Sequence, residues 1–398
     1  MLGPASPQAA ARFLPLAARA LSTSAATAAA ASSSTASSSS GRTPGWTLTL
    51  ERGMGKEYGK EAELQSSGAF AAEVFPDLPI ATTWQNLIKA LSGSLRASAT
   101  ADPAPPFTHF TTRPGAAKVV TVAANLRSEA DIEARIRSAC AGPDAAAQGP
   151  EGAQGPQRAR ALLCVSGSHP VRSLPLVPSL FRSSLDTLRI ATRLRAAGAI
   201  PPDTQLWAVA NPNTERGAGL LERKVELGAQ VVLTQPPLDW EAYLAWLGDA
   251  ERRGLLLPAL PSSSAPSPSA PASEAAGADP SSPAASGAAG TPSPTDAGAR
   301  LLVGHPMASS AGNLSFWLAL SGCGGSAAAR ELVAAAAVAE AGGKEAAAAH
   351  LAAFNRRLVE QILARGGVAG LHVMPITRAA KQAALRMLAD GSLPRSEP

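Results

Sequence analysis

A series of polar side chains stands at the ends of apolar runs. Glu51 closes WTLTLE, Asp77 follows AFAAEVF, Asn125 follows KVVTVAA, and Ser166 to Ser168 follow ALLCV. Asn211 follows QLWAVA, Gln235 follows VVLT, His305 follows RLLVG, and Arg378 lies just past GLHVMPI. Any one of these is ordinarily a solvated loop group. Repeated after run upon run, they are what a polar-ligand site requires if the strands converge on one mouth. Other chemistries find no matching pattern. Cys140, Cys164 and Cys323 are widely separated and lack metal-ligand spacing, as expected of reduced, buried thiols. His109, His169, His305, His350 and His372 are scattered, and His372 falls within a strand, where packing inside the fold is its expected role. No phosphate-binding G-x-x-x-x-G-K-[ST] occurs, and GCGGSA at 322–327 lacks dinucleotide-loop spacing.

The elements that would position these residues alternate between strand and helix. The clearest unit is LERKVELGAQVVLTQPP, residues 221–237. Leu221, Val225 and Leu227 suit a helix lying on a sheet, Gly228 ends that helix, and Val231 to Leu233 read as a buried parallel strand. Strands are also predicted over 46–51, 69–75, 118–124, 161–165, 205–210, 300–304 and 370–376. Helices are predicted over 56–65, 82–95, 180–197, 239–253 and 313–320, with one or two Ala-rich helices within 327–365 and a closing helix to about residue 388. Ser128 with Asp131 three residues on predicts a capping box for the helix after the third strand. Trp207, on the fifth strand, is expected in the core. Strands separated by helices, with no second core, predict an α/β fold: a (β/α)8 TIM-type barrel over residues 46–390 with low-complexity insertions at about 141–159 and 257–299. Without these and the leader it retains roughly 290 residues, a usual size for that barrel.

Residues 1–42 are rich in Ala, Ser and Arg and contain no acid, and residues 12–21 can form a basic amphipathic helix. That composition predicts an organelle transit peptide, mitochondrial in preference to chloroplast. Of the net charge of +5, Arg12, Arg19 and Arg42 supply three, and the first acid is Glu51. The remainder is nearly balanced, which argues against a nucleic-acid partner. No apolar run approaches the roughly 20 residues of a membrane span.

Taken in order, LTLERG, EVFPDLPIATTW, VTVAANLRSEADIEARI, ALLCVSGSHP, NPNTERGAGLLERKVELGAQVVLTQ, LLVGHPMASSAGNLSFWLALSG and GLHVMPITR resemble the catalytic barrel of methylenetetrahydrofolate reductases, and most of all its short, divergent members. The ordered set carries the resemblance, and no single motif is diagnostic. It implies a barrel that binds FAD at its mouth, reduces it with NADH or NADPH, and passes the hydride to 5,10-methylenetetrahydrofolate to give 5-methyltetrahydrofolate in one-carbon metabolism and methionine biosynthesis. Such a chain would be a soluble oxidoreductase whose partner is its folate substrate, with assembly into a homo-oligomer an open question.

The resemblance also implies roles for residues. Glu51 matches the strand-one glutamate that protonates N10 of the folate, with Glu73 in AEVFP as the rival for that match. Gln235 would bond the pterin edge, and Arg378 would pair with the folate glutamate carboxylate, which suits its planar fork. Arg223 and Lys224 match basic residues that reach the flavin phosphates, and Gly167, Ser168 and Asn211 fall at positions that flank the flavin. This chain also departs from the pattern. Ser168 stands where an aspartate is usual and Asn211 where an aromatic is common. Thr121 replaces a histidine, and Gly217 and Leu220 replace polar flavin contacts. Each change removes a hydrogen bond or a stacking face from the flavin. The alternative is therefore a degenerate barrel that binds folate or a partner protein without flavin or turnover.

Overall fold

The computed structural model describes residues 46–53, 58–77, 112–124, 127–142, 157–167, 182–257 and 298–396. The strands are β1 (Thr47–Glu51), β2 (Ala72–Phe75), β3 (Ala117–Ala123), β4 (Ala161–Val165), β5 (Gln205–Ala210), β6 (Val231–Thr234), β7 (Arg300–His305) and β8 (Gly370–Val373). Each pairs in parallel with the next, and β8 pairs with β1 to close the barrel. The described helices are α1 (Tyr58–Ser66), α2 (Glu129–Cys140), α3 (Ser184–Ala196), α4 (Gly219–Glu226), α5 (Trp240–Arg252), α6 (Ala311–Leu320), α7 (Ala327–Ala341), α8 (Lys344–Arg365) and α9 (Arg378–Ala389). The chain is thus a (β/α)8 barrel, as the alternation predicts. The Ala-rich stretch forms two helices, parted at Gly342 and Gly343. The predicted helix over 82–95 and nearly all of both insertions lie outside the described residues. The second insertion leaves and rejoins the barrel at one point, where Leu257 N donates to Ala299 O and Ala299 N donates to Leu255 O.

Strand alternation divides each sequence between two apolar environments, so the strands read as nearly continuous apolar runs. One set, including Ala72, Val74, Val119, Leu163, Trp207, Leu233 and Leu302, packs together in the lumen. The other faces the helices in two clusters. One gathers Leu48, Leu50, Val303 and Leu371 with α5, α8 and α9 side chains, and the other gathers Val120, Val122, Leu162 and Leu206 with α2 and α3. Trp207 lies in the lumen set at 5% exposure, in agreement with its expected core role.

Closure of the barrel depends on two glycines. A Cβ on Gly370 would lie 1.7 Å from Thr47 O across the β8–β1 seam, and one on Gly304 would lie 2.3 Å from Thr234 O. Hydroxyl caps fix where helices begin above the strand ends. Ser128 and Asp131 form the predicted capping box of α2, Ser183 and Asp186 form another at α3, and Thr377 caps α9. At the opposite end, Ser396 Oγ accepts from Leu48 N at 2.6 Å and Ser396 N donates to Ala69 O. This strap covers the start of the β1–β2 seam. No described helix is long and apolar enough to cross a membrane.

Candidate functional site at the barrel mouth

β1 and β8 build the chemical centre of the mouth. Thr49 and His372 are register partners across the seam, so both side chains enter the lumen, and Glu51 follows two residues along on the same face. His372 Nε2 lies 2.9 Å from Glu51 Oε2, and its Nδ1 lies 2.9 Å from Thr49 Oγ1. Glu51 keeps 23% of its side chain exposed while His372 keeps 3%. The carboxyl therefore faces the opening, with the imidazole buried beneath it.

The hydroxyl restricts where the protons sit. When Thr49 donates to Leu371 O, 3.4 Å away, its oxygen accepts from His372 Nδ1–H, and a neutral imidazole then offers Nε2 as an acceptor. Glu51 completes that chain as a protonated donor. In the opposite arrangement Thr49 donates to Nδ1 and Nε2–H donates to the carboxylate. The trio can thus hold Glu51 with or without its proton while every member keeps a partner.

Around Glu51 the lumen wall is apolar, with Val74, Val165 and Val209 on its face. Gln235 stands on the same alternating set as Val231 and Leu233. It is partly exposed, and its Oε1 is buried without a hydrogen-bond partner among the described residues. A buried amide oxygen without a partner is costly, and an incoming N–H can supply what it lacks. Arg378, the first residue of α9, is exposed beyond the end of β8 and forms no ion pair among the described residues.

Other expected site residues serve the protein itself. Asn211 Nδ2 donates to Ser321 O, and its Oδ1 accepts from both the backbone and the side chain of Asn213. Asn213 in turn donates to Pro236 O and accepts from Asp239 N, which ties the loops after β5 and β6 to the end of α6. Lys224 is buried, and Nζ donates to Val209 O at 2.5 Å with Glu215 3.9 Å away. Burial draws its pKa below the usual lysine range, with Glu215 acting in the opposite direction. Arg223 is exposed on α4, and Gly167 is partly exposed at φ +80. Ser168 and Asn125 lie outside the described residues, and Ser166 Oγ accepts from Ser184 N at the start of α3.

Three residues grouped by sequence with the mouth belong elsewhere. His305 shares the outward face of Val303, is fully buried, and lies between Asn355 O at 3.1 Å and Met307 N at 3.2 Å. Burial lowers its pKa to about 4. Asp77 is held by Arg127 and accepts from Ala123 N. Glu73, the rival of Glu51, points outward from β2 into an ion pair with Arg52 and has 1% exposure.

Sequence reading missed the partnership of His372 with Glu51. The signal was parity: His372 lies two residues after Gly370 and one before Val373, and that fixes its face once the register is known. Among the described residues no group of His, Cys, Asp and Glu could hold a metal. No protein-family model matches this chain, and a search of curated proteins returns no match.

Proposed function

We propose that the mouth binds a reduced folate and that Glu51 protonates it, in the reduction of 5,10-methylenetetrahydrofolate to 5-methyltetrahydrofolate with hydride drawn from NADH or NADPH. The observation that carries this reading is the Thr49–His372–Glu51 chain, which presents one carboxyl to the opening with a buried imidazole beneath it that can bond either form of the carboxyl. Protonation of N10 breaks its bond to the bridging carbon and leaves an iminium on N5. Hydride addition to that carbon then gives the methyl group. Glu51 gives up one proton, and because its carboxyl is partly exposed at the opening, solvent can return it. Gln235 Oε1 suits an N–H on the pterin edge, and Arg378, exposed and without an ion pair among the described residues, suits the glutamate carboxylate.

A flavin is the usual hydride carrier of the family this chain resembles. The cradle expected for it does not fit as drawn from the sequence, because Asn211 and Lys224 are committed to loop and strand atoms. Arg223 and Gly167 are the described residues still open to a flavin. The same commitments favour a second reading, in which the barrel binds folate without turnover.

Absorbance and turnover separate these readings. The purified chain is incubated with FAD, passed through gel filtration, and assayed with NADH or NADPH and methylenetetrahydrofolate. Formation of methyltetrahydrofolate supports the reductase, and flavin bands that bleach on reduction identify the carrier. Tetrahydrofolate binding without product supports the second reading. Absence of both overturns the proposal.

A further inference from the structure

Directly behind the mouth, on the outward side of β1, four buried charges balance. Arg52 Nε donates to Glu61 Oε1 at 2.5 Å, and its Nη1 pairs with Glu73. Lys381 Nζ lies 3.3 Å from Glu61 Oε2. None of the four side chains is more than 7% exposed. The remaining oxygen contacts are filled: Glu73 accepts from Gln65 Nε2 and from Arg113 N, and the Arg52 guanidinium lies over the Phe75 ring. Such a network contributes little net stability over an apolar core, but it tolerates one geometry and penalises the loss of any member.

Its members belong to four elements, and two of them adjoin the site. Arg52 immediately follows Glu51. Glu61 holds the Arg52 side chain and also accepts from Gly53 N at 3.0 Å, so it grips the backbone just past the acid. Lys381 lies three residues, about one turn, along α9 from Arg378. A single carboxylate, Glu61, thus joins the strand end that carries the proton donor to the helix start that carries the exposed arginine.

We propose that Arg52, Glu61 and Lys381 are positioning residues that fix Glu51 at a set distance from Arg378, so that a ligand anchored at its carboxylate tail meets the acid in register. This rests on the roles given above to Glu51 and Arg378. The network holds Glu51 through the chain and not by contact, and the nearest reporter is His372, whose Nε2 bond to Glu51 loosens when the strand end shifts.

The test uses the full chain with Glu61→Gln/Lys381→Met, which removes one charge of each sign and leaves no lone buried ion. Folding is followed by circular dichroism, the His372 ring by 15N NMR, and binding with tetrahydrofolate and with 6-methyltetrahydropterin, which lacks the glutamate tail. The expected result is a folded protein whose His372 Nε2 resonance moves toward that of a free imidazole. Its tetrahydrofolate Kd rises about fivefold or more while the pterin Kd changes by less than about twofold. Lys381→Arg, which keeps the charge, retains wild-type values. Should the double variant not fold, Lys381→Gln, which can still donate to Glu61, shifts the same readouts in the same direction by less. A folded variant with an unmoved His372 resonance overturns the proposal. If the wild-type chain binds neither probe, the folate reading falls instead, and the His372 resonance alone decides the positioning role.

Discussion

Glu51 Oε2 and His372 Nε2 lie 2.9 Å apart across the seam where the last strand of the barrel meets the first, although 321 residues separate them in the chain. Barrel closure therefore assembles the pair, and neither residue has this partner until β8 docks on β1. The pairing on which the proposed proton donation depends is in this sense a property of the completed fold.

Replacement of Glu51 by Gln tests the acid. The amide keeps the size of the side chain and can still bond His372, but it has no proton to give. Turnover of methylenetetrahydrofolate should fall by about 10²–10⁴, the usual share of a general acid. Tetrahydrofolate affinity and thermal stability should stay near wild type. An unchanged kcat would remove Glu51 from the chemistry.

His305 should make the barrel sensitive to acid. Burial lowers its pKa from 6.5 to about 4, so the unfolded chain takes up this proton before the folded one does. Its contribution is complete above pH 6.5, is lost as pH falls from there toward 4, and is constant below. Between pH 7 and pH 5 the loss should be about 2 kcal/mol. Urea unfolding of the wild type and of His305→Gln at the two pH values checks this, because the variant should lack that increment of slope.

Glycine substitutions should separate close approach from propensity. Gly370→Ala places a methyl 1.7 Å from Thr47 O, so the β8–β1 seam must open. The variant should lose more than about 3 kcal/mol or fail to accumulate as soluble protein. Gly219→Ala, in the first turn of α4, meets nothing within 4 Å and should raise stability by about 0.5 kcal/mol. The urea midpoints of both variants decide the matter, and equal effects would contradict the seam geometry.

Most strands were legible in the sequence because they are apolar runs buried on both faces, and β1 because TLTLE alternates, patterns that need no partner to be recognised. The Ser128–Asp131 capping box was legible for a similar reason, since its hydrogen bonds are local. Facing was harder. His305 and Gln235 both end apolar runs, yet one turns out to Asn355 and the other into the lumen, and the difference is one residue of parity. Asp77 looks like a mouth carboxylate until Arg127, 50 residues later, is seen to neutralise it. Glu73 and Glu51 could not be separated by motif, since the distinction lies in which face of its strand each side chain takes. The family resemblance gave Lys224 a phosphate contact, whereas its stem runs inward to Val209 O.

Gln235 should show a conflict between stability and binding. Its Oε1 is buried and has no partner among the described residues, and such a group bears a desolvation cost that the unfolded chain avoids. Leucine has a similar volume and no polar atoms. Gln235→Leu should therefore stabilise the barrel, by about 1 kcal/mol given the usual cost of an unsatisfied buried group. The same change removes the acceptor proposed for the pterin edge, so on that proposal tetrahydrofolate affinity should fall more than about tenfold, as expected when one well-placed hydrogen bond in a dry site is lost. Urea unfolding and calorimetric titration on one preparation read both effects. A variant that loses stability would mean that Oε1 serves the fold, and one that binds tetrahydrofolate as tightly as wild type would place the pterin edge elsewhere in the mouth.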